Sequence, residues 1–169
     1  MRDRSGAAAV EFAAAASMLG IGLLNAIDVG VYTYDVMQVQ NAARVGAQAA
    51  WKTCNDPSYM LPATRNCPGL ASAITAAIQS TSLRANVSLA AGYPTEGYYC
   101  TTTSSSLQAV GTLSSKPANC SAAGNANAAP GDYLQVSVTY SYSPLFSRLS
   151  VMSASGVSAI TATSWIRLG

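Results

Sequence analysis

The longest apolar stretch of the chain lies at its start. From Ala7 to Val31 it reads AAAVEFAAAASMLGIGLLNAIDVGV, with Glu11 and Asp28 as its only charges. A helix over residues 7–31 would measure about 37 Å, enough to cross a bilayer core of about 30 Å. The pattern then changes without a break. Val36, Val39, Ala43, Ala47 and Ala50 recur at spacings of three and four, and no proline occurs before Asp56. This predicts one helix from about Ala7 to Trp51, a span over 7–31 and an amphipathic stem over 32–51. A second helix is predicted from Leu70 to about Leu83, where LASAITAAIQSTSL keeps the same period. NVSLAAGYP and GYYCTT are strand candidates around a Pro/Gly turn, and Ser114 to Gly131 reads as a loop. In DYLQVSVTYSYSP the period becomes two, placing Leu134, Val136, Val138, Tyr140 and Tyr142 on one face. Pro144 ends that strand, LFSRLSVM turns the chain, and SGVSAITATSWIR returns as its antiparallel partner. The expected class is α+β, a long N-terminal helix covering one face of a small antiparallel sheet.

Composition and charge restrict the compartment more than the chemistry. The chain has 169 residues, half of them hydrophobic and 9% charged, with a net charge of +2. That is room for one domain with an appended element, far from disorder and too weakly basic for a nucleic-acid partner. Arg2 and Arg4 precede the apolar run while Asp28 and Asp35 lie at its far end. The positive-inside tendency puts the N-terminus in the cytosol, and Tyr32 and Tyr34 fall where an interfacial aromatic belt would sit. Two alternatives stand beside a membrane span: a cleaved signal peptide, whose apolar core is shorter and free of glutamate, and a buried helix of a soluble fold.

Glu11 is the anomaly in this run, because a carboxylate in an apolar setting is costly unless partnered. At 100° per residue Ala15, Gly22 and Asn25 lie within about 40° of it, a small and polar stripe expected to face protein rather than lipid. Gly20, Gly22, Gly30 and Gly46 permit close helix approach or bending in a membrane. A short basic leader ending in Gly6, then AAAV, then Glu11-Phe12 and a hydrophobic run, resembles the processing site of type IV prepilins. With the downstream DVGVY and the stem NAARVGAQAA, and more loosely the ending YLQVSVTYSYSPL and SAITATSWIR, the chain resembles the TadE-like pseudopilins of the Tad (Flp) pilus system. That resemblance implies a pilin-like fold and cleavage by a prepilin peptidase between Gly6 and Ala7. Residues 1–6 would be the leader, 7–51 the helix and 52–169 an extracytoplasmic domain. It also implies single-pass residence in a bacterial inner membrane with a periplasmic C-terminal domain, and incorporation in a pilus. The partners would be the peptidase, membrane lipid and other pilin subunits. Glu11, fifth after the cut, and Phe12 would serve assembly, Glu11 by pairing with the N-terminal amine of a neighbouring subunit.

Cys54, Cys67, Cys100 and Cys120 all lie beyond the span, an even number on the oxidising side. Four cysteines allow three pairings. Cys54–Cys67 and Cys100–Cys120 are favoured because each pair brackets a Pro/Asn/Ser-rich loop, and closing loops of this size contributes about 3 kcal/mol each in the chain-entropy model. With no histidine and no C-x-x-C spacing, neither a zinc site nor another cofactor is expected. The scattered acids offer no carboxylate pair or calcium loop, and nucleophile-elbow, phosphate-loop and dinucleotide fingerprints are missing. An enzyme is not expected. Tyr93, Tyr98, Tyr99, Tyr140 and Tyr142 are read as packing residues in preference to a binding surface. Two classes of function remain: a pilus subunit assembled through its helix, and a single-pass anchored binding module that never polymerises.

Overall fold

The computed structural model describes residues 5–54, 56 and 61–169. The elements run α1 (Ser5–Cys54), α2 (Ala63–Asn66), α3 (Leu70–Gln79), β1 (Val87–Leu89), β2 (Thr95–Thr101), β3 (Leu107–Ala109), β4 (Gly131–Ser141), α4 (Val151–Ala154) and β5 (Ala159–Arg167). The long helix, the two strand candidates and the β4–β5 return are thus present. The second helix is shorter than its apolar period suggests, ending at Gln79, and α2, β3 and α4 have no counterpart in the sequence pattern. The first four residues of the expected leader lie outside the described residues. The chain divides into two compact units, 1–36 with 141–160, and 37–140 with 161–169.

In the larger unit β4 is the central strand. β2 pairs antiparallel with its first half (Thr95 opposite Gln135, Tyr99 opposite Gly131), and β1 with its second (Val87 opposite Tyr140). β3 extends the sheet beyond β2, and β5 also pairs with β4, with the Leu168 N–H donating to the Asp132 carbonyl at 2.8 Å. Alternation along β4 puts Leu134, Val136 and Val138 on the buried face, where no part of them reaches solvent. Val39, Ala43, Ala47 and Ala50 of the stem and Ile74 and Ile78 of α3 complete that core. At Gly46 the helix comes so close that a Cβ would stand 2.8 Å from Ile78 Cγ2 and 3.3 Å from both Ile74 Cγ2 and Val136 Cγ1. Here glycine sets the helix-to-sheet approach, so its role belongs to the globular core rather than to the membrane segment.

On the opposite face Tyr99 makes edge-to-face contacts with Tyr133 and Trp165, with ring centroids 5.8 and 5.1 Å apart. Disulfides join Cys54 to Cys67 and Cys100 to Cys120. The second lies in a satellite cluster with Tyr98, Val110 and Ala123, which gives the long loop between β3 and β4 a small core of its own. Tyr98 and Tyr142 are buried, and Tyr93, Tyr99 and Tyr140 are half-buried.

Candidate functional site

The first half of α1 is the surface that needs explaining. Residues 6–23 are exposed throughout, including Val10, Phe12, Met18, Leu19 and Leu23, with Phe12 at 76%. A contiguous apolar surface of this extent is not maintained against water by soluble monomers. Among the described residues α1 is long and apolar enough to cross a membrane, and the most apolar part of it buries nothing within the chain. That exposure is what a membrane anchor would show and is unlike the core helix of a soluble fold, which is mostly buried. Around Gly6, Gly20, Gly22 and Gly30 there is open space where a Cβ would stand, so each leaves room for another helix to approach.

The polar side chains in this apolar helix divide sharply by how they are satisfied. Ser17 donates to the carbonyls of Ala13 and Ala14, both at 2.9 Å, and Thr33 to that of Val29 at 2.8 Å. Such local bonds let a hydroxyl reside in hydrocarbon. Asn25 Nδ2 donates to the Ile21 carbonyl at 2.9 Å and to that of Leu149 at 3.1 Å, while Oδ1 accepts from the Val151 N–H at 2.8 Å. Asp28 is fully buried, its two oxygens accepting from the N–H groups of Leu145 at 2.9 Å and Phe146 at 3.4 Å. Tyr142 packs edge-on against Tyr32 at 5.2 Å and directs its hydroxyl at the Asp28 carbonyl. Within this unit, then, the segment from Leu145 to Val151 is fastened to α1 at two polar points. Its own backbone takes the place that the sequence reserves for a foreign helix at Asn25. Asp28, which reads in sequence as a charge at the end of the span, is a structural anchor.

Glu11 and Phe12 are exposed, one helical turn beyond Gly6 and Ala7. Among the described residues nothing bonds to the Glu11 carboxylate. The structure therefore brings Gly6, Ala7, Glu11 and Phe12 together on the first turns of one helix, while the four cysteines belong to the other unit.

That other unit holds an electrostatic feature that sequence reasoning missed. Glu96 on β2 caps the start of α2, accepting from the N–H groups of Ala63 at 2.6 Å and Thr64 at 2.7 Å. Diagonally across the sheet lies Asp132 of β4, buried, with no donor to either carboxylate oxygen among the described residues. Burial first, then the neighbouring Glu96 charge and a hydrogen bond that the protonated Asp132 gives Glu96, push Asp132 up to about 7, against the opposing pull of Lys116. Lys116 itself stands over the Tyr98 ring, 5.3 Å from its centre. Among the described residues no three His, Cys, Asp or Glu side chains gather as a metal site would require.

No curated protein and no solved structure gives a significant match to the chain. A family model does match, over residues 6–48, and its description is TadE-like protein. The matched span, about a quarter of the chain, holds the open glycines, Glu11, the polar anchors Asn25 and Asp28 and most of the stem, and it is this N-terminal helix that is similar to TadE-like proteins.

Proposed function

We propose that this protein is a minor pilin or pseudopilin of a Tad pilus, cut after Gly6 and assembled through the apolar half of α1. In this reading the mature chain begins at Ala7 in the inner membrane, with its disulfide-bonded domain in the periplasm, and joins other subunits in or beneath the fibre. The observation that carries it is the state of Glu11: a carboxylate on the exposed apolar part of α1, without a partner among the described residues, on the same helix face as Gly22, around which space stands free. Cleavage supplies the missing counter-charge, a new ammonium on Ala7. The amine of the same chain lies one turn away and can hold Glu11 in the free subunit. The amine of a neighbour replaces it on assembly.

Removing one partner of a buried ion pair costs about 3–5 kcal/mol, because the other charge is stranded. Glu11→Val is therefore expected to be exported and cut normally, leaving a chain that starts at Ala7 by mass, yet to lose surface pili in complemented cells. Glu11→Asp, with a shorter arm, falls between. Normal piliation with Glu11→Val refutes the assembly mechanism. A native chain that keeps residues 1–6 refutes processing, and favours the anchored binding module.

A further inference from the structure

We infer that the segment Leu145–Val151 is a second membrane-contacting element, seated in the outer-leaflet interface beside α1 and binding phospholipid. This rests on the reading of α1 as a membrane span. Three large aliphatic side chains stand exposed within seven residues: Leu145 at 62%, Leu149 at 54% and Val151 at 55%. On a loop in water, such a cluster is disfavoured. Its depth follows from its fastenings. Asn25 and Asp28 hold the segment, and these residues lie about 27–32 Å along the helix from Ala7, at the far edge of a hydrocarbon core of about 30 Å. The exposed Ile21, Leu23 and Ile27 of α1 lie at or just below the same level along the helix, within the same unit.

Among the described residues, most of the segment's backbone N–H groups, though not those of Ser147 and Arg148, are satisfied within the chain. Irregular chain at membrane depth is tolerated only where its polar groups are satisfied internally. The Leu145 and Phe146 N–H groups go to Asp28, that of Val151 to Asn25, those of Leu149 and Ser150 to the Phe146 carbonyl, and that of Met152 to the Ser150 hydroxyl. Arg148 lies between the exposed leucines, with the reach to place its guanidinium among headgroup phosphates while its stem stays in the apolar layer.

The test is photolabelling of the full chain in bilayers of phosphatidylethanolamine and phosphatidylglycerol that carry a diazirine-bearing acyl chain, with adducts mapped by peptide mass. Adducts are expected both in residues 7–27 and in residues 145–151. Withdrawing two leucine side chains from the apolar layer is worth at least about tenfold in partition, so Leu145→Ser/Leu149→Ser should lower loop labelling by that factor and leave helix labelling unchanged. Labelling of the helix alone overturns this inference and leaves the span intact. Labelling of neither overturns the span and the inference with it. Loop adducts to a second copy of the chain in place of lipid overturn it in favour of a subunit contact, and so do loop adducts that survive the double substitution.

Discussion

Asp132 should make the globular domain less stable as the pH rises, and replacing it with asparagine should remove that dependence. In the unfolded chain the carboxyl titrates at its ordinary value of 3.8, whereas burial and the Glu96 charge raise it to about 7 in the fold. The native state therefore holds a proton that the unfolded state has released across this interval. Below 3.8 both states are protonated and the contribution is fully present. It is lost progressively as the pH climbs to about 7, and above that the fold carries a buried carboxylate without a hydrogen-bond donor beside a second acid. The gap corresponds to a ceiling of about 4 kcal/mol, at about 1.4 kcal/mol per unit. An asparagine side chain in its place would stay neutral at every pH, and its amide could donate to Glu96. Urea unfolding of the full chain in detergent, followed by tryptophan fluorescence between about pH 4 and 8, reads the difference between wild type and Asp132→Asn. The two should be nearly equal at about pH 4, with the variant ahead by about 2–4 kcal/mol at about pH 8. A difference that does not change with pH would mean that Asp132 is not protonated in the fold, and the reasoning would fail.

Gly46→Ala tests the helix-to-sheet contact: alanine favours a helix interior by about 1 kcal/mol, but overpacking costs about 1–3 kcal/mol, and the clash is with stiff β-branched side chains. A net loss is expected in urea unfolding, with the same change at Gly22, which faces open space, as the neutral or stabilising control; equal behaviour at the two sites would refute the contact. Asp28→Ala strands the Leu145 and Phe146 N–H groups, and at about 1.5–3 kcal/mol per charged hydrogen bond it should raise proteolytic nicking between residues 145 and 151 by about a hundredfold or more. Unchanged nicking would show that Asn25 alone holds the segment.

The legible parts of the fold are those where one face of an element is buried. Alternation in β4 is readable because Leu134, Val136 and Val138 face the stem and α3, and the three-four spacing of the stem because Val39, Ala43, Ala47 and Ala50 meet that sheet. The end of α3 is not, since Leu83 continues the apolar period and is itself buried, but from a turn rather than from the helix. The chain leaves the helix at two hydroxyl residues, with Ser80 Oγ donating to the Ala77 carbonyl and Thr81 Oγ1 to that of Ile78, carbonyls of the last turn. β3 leaves no trace because all three of its residues are exposed and only its backbone pairs with β2. α2 is set by Glu96, a cap more than thirty residues away that no local pattern contains.

The same limit acts on the functional helix. A sequence shows where a polar group is costly, not what relieves the cost. Glu11, Gly22 and Asn25 fall on one stripe, and a single stripe invites a single explanation, a neighbouring helix along its whole length. The structure divides it instead. Asn25 is occupied by the backbone at Leu149 and Val151, and Asp28 nearby by that at Leu145 and Phe146, all from the same chain. Those positions are closed to another subunit unless the loop leaves. On the Glu11 stripe the positions left open to a neighbour are thus Glu11, Ala15 and Gly22, which share a face, with space free around Gly22. Subunit packing should accordingly respond to substitutions at Glu11 and Gly22, whereas changes at Asn25 and Asp28 act first on the chain's own loop.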